Sequence, residues 1–185
     1  FGSIFYDIYN QKTYDKRKLN MVNMPLVSII IPVYTAGALI DRCLDSVFSQ
    51  QGEYHIEVIC VDDGSTDNSW QVIRSLQKNN PAVKGVCFRR NYGKSPALFC
   101  GFEAAKGKVV ITMDADLQDS PDEIPELYRM ITEDGYDLVS GFKMNRRKGD
   151  PLSKTIPTKL FNATARAVSG IHNLHDFNCG LKAYR

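Results

Sequence analysis

Four short β-rich runs, Leu26–Tyr34 (LVSIIIPVY), Ile56–Asp63 (IEVICVDD), Val83–Phe88 (VKGVCF) and Lys108–Asp114 (KVVITMD), are separated by stretches with helical periodicity. Strands that alternate with helices in this way read as βαβ units, because parallel neighbours need a crossover long enough to hold a helix. A fifth run, Tyr136–Phe142 (YDLVSGF), follows. The expected fold is α/β, a doubly wound and mostly parallel sheet with helices on both faces.

The helical stretches carry their own signals. Leu39, Ile40, Cys43, Leu44, Val47 and Phe48 recur at helical spacing between the first two strands. Ser65, Thr66 or Asp67 can cap a second helix that buries Trp70, Ile73 and Leu76. SPALFCGFEAAKG reads as a third, stopped by Gly107. In SPDEIPELYRMI, Ser120 and Glu123 are spaced as a capping box, with Pro121 at the first helical position. There is no internal repeat and no low-complexity segment.

Composition removes several function classes. With 185 residues, 43% hydrophobic and 24% charged, the chain has the material for one globular domain with a real core. That domain is expected over residues 25–185, behind an N-terminal arm or extraneous remnant over residues 1–24. A net charge of +2 gives no bulk electrostatic reason to bind nucleic acid. Five cysteines, Cys43, Cys60, Cys87, Cys100 and Cys179, form no CxxC pair and have no histidine at zinc-ligand spacing, so reduced, mostly buried thiols in a cytosolic setting are expected. The longest apolar run is broken by Pro32 and falls short of the roughly 18 residues a spanning helix needs. The polar, aromatic and cationic opening lacks the apolar core of a secretory signal.

Open α/β sheets bind ligands beyond the carboxyl ends of their strands. Here those ends carry Pro32-Val33-Tyr34, Asp62-Asp63-Gly64, Arg89-Arg90-Asn91 and Asp114-Ala115-Asp116. Asp114 and Asp116 are two apart, so in an extended segment they point to one side, where like charges need a cation. A hard divalent ion suits them: Mg²⁺ or Mn²⁺ takes one or two carboxylates and completes its shell with water and phosphate oxygens. The plainer reading makes one carboxylate a helix cap and leaves the other solvated; the position beside a second acidic strand end favours metal. Asp62 can accept hydrogen bonds from a base or ribose, while Gly64, Ser65 and Asp67 have turn and cap chemistry.

Three other motifs fail. A phosphate-binding P-loop ending in NYGKS needs glycine where Phe88 stands. An aspartyl nucleophile of the haloacid dehalogenase type expects Thr or Val at Gln118. No GxGxxG follows the first strand.

Taken together, VSIIIPVY, VDDGSTDNS, RNYGKSPAL and MDADLQDSPDEIPEL resemble the family 2 glycosyltransferases of the Rossmann-like GT-A fold, and within them the polyprenyl-phosphate branch. The resemblance covers about Pro25 to Arg185. It implies a nucleoside diphosphate sugar donor, UDP- or GDP-linked, and a polyprenyl-phosphate acceptor at a membrane surface on the cytoplasmic side. Carried over by position, Pro32 and Tyr34 contact the nucleotide and Asp62 holds the base, with Asp63, Asn91 and Lys94 also in the substrate-binding set. Asp114 and Asp116 become a DxD motif for metal and diphosphate, and Gln118 lies beside sugar and acceptor. One departure is plain: Thr35-Ala36 stands where the family has Asn-Glu, so the carboxylate expected there is absent.

From Lys143 to Arg166 seven cations, Lys143, Arg146, Arg147, Lys148, Lys154, Lys159 and Arg166, face one acid, Asp150. Lys148 and Lys154 read as a solvated face. Arg146 and Lys159 match family positions that grip phosphates. Ile156, Leu160, Phe161 and Val168 give this stretch an apolar side, read as core and compatible with lying near lipid. In HDFNCGLKAYR the resemblance puts Asp176 at the acceptor side as catalytic base. A phosphate monoester has its second pKa near ~6 and is already largely a nucleophile at neutral pH, so orienting a cation or binding metal stays open for Asp176. His172 and His175 read as surface loop residues. The rival readings are transfer to a saccharide hydroxyl and a nucleotide-sugar-binding module without turnover. Relatives commonly continue past this last motif, often into membrane helices, which is compatible with a fragment.

Overall fold

The computed structural model describes residues 4–9, 26–143, 152–170 and 179–185. In chain order the elements are β1 (Ile4–Tyr9), β2 (Leu26–Val33), α1 (Ile40–Phe48), β3 (His55–Asp62), α2 (Ser69–Asn79), β4 (Val83–Cys87), α3 (Lys94–Ala104) and β5 (Val109–Thr112). A 3₁₀ turn (Pro121–Glu123) leads into α4 (Ile124–Thr132), followed by β6 (Leu138–Lys143), α5 (Leu152–Ser169) and β7 (Lys182–Tyr184). One sheet holds all the strands in the order β1-β6-β7-β5-β2-β3-β4.

The pairs β2/β3, β2/β5 and β3/β4 are parallel; β5/β7, β6/β7 and β1/β6 are antiparallel. Five strands, β2 to β6, therefore run the same way, with β1 and β7 reversed. The last strand inserts between β5 and β6, and Ile4–Tyr9 closes one edge of the sheet.

β2 is an interior strand, between β5 and β3, and is covered on both faces, which is why its sequence is a continuous apolar run rather than an alternation. Its odd residues, Val27, Ile29, Ile31 and Val33, pack with Ile40, Cys43, Leu44 and Val47 of α1, Ile73 of α2 and Ile124, Leu127 and Ile131 of α4. On the opposite face Ile59, Val61 and Ala97 form a smaller cluster under α3. Helices thus cover both faces, and α3 lies very close: a Cβ added at Gly101 would fall 2.3 Å from Ile30 Cγ2.

Pro32 sits in this interior strand without breaking a ladder. The Ile30 carbonyl accepts from Met113 on the β5 side and the Val33 carbonyl from Asp63 on the β3 side. Alternation puts the donorless nitrogen of Pro32 toward β5, whose pairing with β2 has already stopped at Ile30.

The helix starts depart in part from expectation. Asn68 stands immediately before α2 but makes no side-chain cap bond; of the expected Ser65, Thr66 and Asp67, it is Asp67 whose carboxylate accepts the first helical N–H, that of Ser69, at 3.0 Å. Pro121 does open a helical turn, but the capping box does not form: the Ser120 hydroxyl turns to Asp122, and the Glu123 N–H bonds the Ser120 carbonyl. α3 ends at Ala104, where Ala105 turns extended, and Gly107 beyond it packs against the backbone of β2: a Cβ there would lie 2.5 Å from the Ser28 nitrogen. Among the described residues no helix is long and apolar enough to cross a membrane.

Candidate active site at the strand ends

The register lines up Val33, Asp62 and Cys87 at the carboxyl edge, and β5 delivers Asp114 to the same edge. Tyr34, just past β2, is 54% exposed. Thr35 beside it has φ of +53°, a conformation that is costly for a β-branched residue. It is held there by the next strand's loop. Ser65 Oγ accepts the Thr35 N–H at 2.9 Å, Ser69 Oγ the Ala36 N–H at 3.0 Å, and Asp67 Oδ2 the Gly37 N–H at 3.1 Å. The motif GSTDNS is thus a clamp on Thr35-Ala36-Gly37, a role that the turn and cap reading of the sequence missed. Its signal was the recurrence of short polar side chains at alternate positions 65, 67 and 69.

Asp62 is only 1% exposed. Its Oδ1 accepts the Ser65 N–H at 3.1 Å, and the Cys87 thiol donates to Oδ2 at 3.4 Å. Burial first, then the hydrogen bond and charge of Asp62, push the Cys87 thiol pKa up. A carboxylate oxygen has two lone pairs, so Oδ2 keeps acceptor capacity beside Cys87.

Asp63, expected in the substrate-binding set, is engaged by its own chain. It is buried, and its two oxygens accept the N–H groups of Tyr92 at 2.7 Å and Gly93 at 2.9 Å. Its work is to fix the loop that leads into α3. That loop exposes Arg89, Arg90 and Asn91, with the Arg90 guanidinium 4.9 Å from the Tyr92 ring centre.

The four aspartates that follow β5 have four different environments. Asp114 is half-buried, and its Oδ1 lies 2.6 Å from Lys94 Nζ. Asp116 is exposed, and its Oδ1 accepts the Gln118 N–H at 3.0 Å. Asp119 is buried and accepts the Asp114 N–H at 3.0 Å, bracing the loop from below. Asp122 turns away to Gln50 Nε2 at 3.0 Å. The geometry that brings Asp114 and Asp116 here is not strand alternation. β5 ends at Thr112, and a turn with Leu117 at φ +61° places them. Beneath the turn, burial together with the charges of Asp119 and Asp116 pushes the Cys43 thiol up to about 11.

β7 seals the other side of this loop. Thr112 Oγ1 donates to the Gly180 carbonyl at 2.8 Å, and a Cβ at Gly180 would lie 2.5 Å from Asp114 Oδ2 and 3.0 Å from Asp119 Oδ2. Only glycine lets the backbone pass this close to two carboxylates.

Of the expected site residues, Pro32, Tyr34, Asp62, Lys94, Asp114, Asp116 and Gln118 come from four strand ends to one edge. Arg146 and Asp176 lie outside the described residues, as do Arg147, Lys148, Asp150, His172 and His175. Lys159 and Lys154 lie on α5 with side chains outside that description. Phe161 and Val168, read as core, are exposed on α5.

The donor set fits a hard divalent cation. It offers carboxylate oxygens only, one exposed and one half-buried, and no described donor bonds Asp116 Oδ2. Among the described residues no group of three or more His, Cys, Asp or Glu forms a closed cage. That is the open arrangement Mg²⁺ or Mn²⁺ uses when phosphates complete its shell.

A family model described as glycosyl transferase family 2 matches residues 28–185. The chain belongs to glycosyl transferase family 2. An undecaprenyl-phosphate 4-deoxy-4-formamido-L-arabinose transferase of Aeromonas hydrophila is 39% identical over 170 residues, which cover 90% of this chain and 51% of the relative. A transferase of the same name from Shewanella sediminis is 37% identical over 166 residues, 88% of this chain and 49% of the relative. The chain spans about half the length of these curated relatives. Among solved structures, a mannosyltransferase from Pyrobaculum calidifontis in complex with GDP-Man and Mn²⁺ superposes with a TM-score of 0.57 at 23% identity, over 88% of this chain and 45% of that one. Glucosyl-3-phosphoglycerate synthase from Mycobacterium tuberculosis, with Mn²⁺, UDP and glucosyl-3-phosphoglycerate, gives 0.62 at 20% identity, over 86% and 56%. At these identities the likeness establishes the fold alone.

Proposed function

We propose that this chain is the donor-binding part of a metal-dependent inverting glycosyltransferase that moves a sugar from a nucleoside diphosphate sugar to a polyprenyl phosphate. The observation that carries this reading is the meeting of Asp62, the Lys94–Asp114 pair and Asp116 at one sheet edge, delivered by separate strands. The relatives named for transfer involving undecaprenyl phosphate support the acceptor, and the neighbours bound to UDP or GDP-Man support the donor class.

In this reading Tyr34 and Pro32 line the nucleotide and Asp62 meets the base. Asn91 and Lys94 face the donor phosphates. Asp114 and Asp116 hold Mg²⁺ or Mn²⁺, which supplies charge neutralisation for the diphosphate leaving group. Gln118 lies beside the sugar. Arg146 and Lys159 attract the acceptor phosphate, and Asp176 orients the acceptor side. An acceptor phosphate dianion attacks the anomeric carbon from the face opposite the diphosphate, forms the new C–O bond as the old one breaks, and inverts the configuration. It is already ionised near neutrality, so positioning by cations matters more than proton removal. The acceptor places this chemistry at the inner face of a membrane.

The test is transfer of radiolabelled sugar from UDP- and GDP-linked donors to a lipid-phosphate extract, with free oligosaccharides as the competing acceptor. Label in the lipid fraction is expected. Label only in saccharide replaces the acceptor assignment, and tight Mn²⁺–UDP binding with no transfer to either replaces the enzyme reading for this chain.

A further inference from the structure

The first cation at the DxD turn belongs to the chain itself. Lys94 opens α3, and its Nζ sits 2.6 Å from Asp114 Oδ1. Both partners are held from behind. On the lysine side, Asp63 fixes the two preceding residues through the Tyr92 and Gly93 N–H groups, and Gly93 has φ of +95°. Gly64 adds a close backbone contact, since a Cβ there would lie 2.2 Å from the Arg90 carbonyl carbon. On the aspartate side, Asp119 holds the Asp114 N–H and Gly180 presses on its carboxylate. Such bracing leaves the lysine stem as the soft part of the pair.

We propose that Lys94 is a tethered counter-ion that competes with the divalent cation for Asp114, and that arrival of the donor diphosphate releases it. This rests on reading Asp114 and Asp116 as the metal-binding pair. Lys94 occupies Oδ1 of Asp114 while the Gly180 backbone crowds Oδ2, and an ammonium and a dication on one carboxylate repel each other, so ligation by Asp114 favours withdrawal of the lysine. A diphosphate gives the withdrawn ammonium a new anionic partner, which makes metal and donor binding reinforce each other. Lysine suits the task better than arginine, being a point charge on a flexible stem without a fork that locks onto carboxylate. Its side chain is 47% exposed and that of Asp114 36%, so the pair is weak enough to yield.

The experiment titrates Mn²⁺ into the full chain with and without UDP, reading free Mn²⁺ by electron paramagnetic resonance. In the wild type UDP is expected to tighten Mn²⁺ binding. Lys94→Met and Lys94→Gln are expected to bind Mn²⁺ about two- to five-fold more tightly than wild type when UDP is absent. They should also show a smaller tightening by UDP, and the advantage should shrink at high ionic strength. A merely structural role for Lys94 predicts the opposite sign, weaker binding in the variants. Equal or weaker Mn²⁺ affinity in both variants, with wild-type binding intact, overturns the proposal and leaves the metal reading standing. No Mn²⁺ binding to the wild type even with UDP overturns both.

Discussion

At the strand starts, the buried carboxylate of Glu57 is surrounded by donors: the Ser28 hydroxyl at 2.5 Å, the Lys106 N–H at 2.8 Å and the Lys84 ammonium. Ser28 in turn accepts the Gly107 N–H at 2.7 Å. At the strand ends of the same sheet, Asp116 is exposed with one backbone N–H on Oδ1, and Asp114 leans on a single flexible lysine. Acidic groups sit at both edges, yet one set is internally satisfied and the other keeps oxygens open. A closed network rigidifies the fold, and an open one is a place for something else to bind.

The largest effect should come from breaking the open end. Asp116→Asn is expected to lower kcat/KM for sugar transfer by about 10²–10³, the usual cost of losing one group that stabilises transition-state charge. Its unfolding midpoint should match wild type, because an exposed side chain with one hydrogen bond to its own turn carries little stability. Near-wild-type turnover would remove Asp116 from the metal pair.

Breaking the closed end should do the reverse. Glu57→Ala strips the acceptor from Ser28, Lys106 and Lys84 and is expected to cost ~2–4 kcal/mol of stability by denaturant titration. The same carboxyl also carries a pH signature. Burial pushes its pKa up, but the hydrogen bonds from Lys84, Ser28 and Lys106 outweigh that and hold it below the usual value. A depressed folded pKa contributes stability that is fully present above the unfolded pKa of about 4.3 and is lost as pH falls through the folded value. Unfolding profiles of wild type should therefore fall between pH 5 and the acid limit more steeply than those of Glu57→Gln.

The parallel core was legible because strands buried on both faces leave continuous apolar runs, and LVSIIIPV and IEVICVDD are such runs. β7 was not, since three residues, Lys-Ala-Tyr, carry no periodicity and become a strand only by filling the gap between β5 and β6. β1 likewise takes its strand character from pairing with β6. At the site, residue types and strand ends pointed to the right edge, but the roles depended on long-range register. Cys87 meets Asp62 because β3 and β4 are paired in register, and Asp63 serves the Tyr92–Gly93 turn because two loops meet. Neither contact is encoded at short sequence separation.

A packing change separates fold from site more sharply. Gly101→Ala puts a methyl 2.3 Å from Ile30 Cγ2, so α3 must lift or Ile30 must leave its rotamer. Such overpacking costs about 1–3 kcal/mol. Since α3 carries Lys94 at its first turn, the same variant should also weaken UDP affinity if helix position sets the lysine's reach. Lost stability with unchanged UDP binding would show that Asp63 alone positions the loop.

The smallest effect is expected at Asp122, and it sharpens the comparison by testing position against charge. Asp122 lies six residues after Asp116 in the same acidic stretch, yet its carboxylate turns outward to Gln50 and the Ser120 hydroxyl, both exposed contacts. Surface hydrogen bonds of this kind are worth a few tenths of a kcal/mol, so Asp122→Ala should stay within about 0.5 kcal/mol of wild-type stability. If summed negative charge near the turn drew the cation, Mn²⁺ affinity would fall in Asp122→Ala, and more steeply at low salt. If the turn geometry at Asp114 and Asp116 does so, affinity should be unchanged while Asp116→Asn loses it.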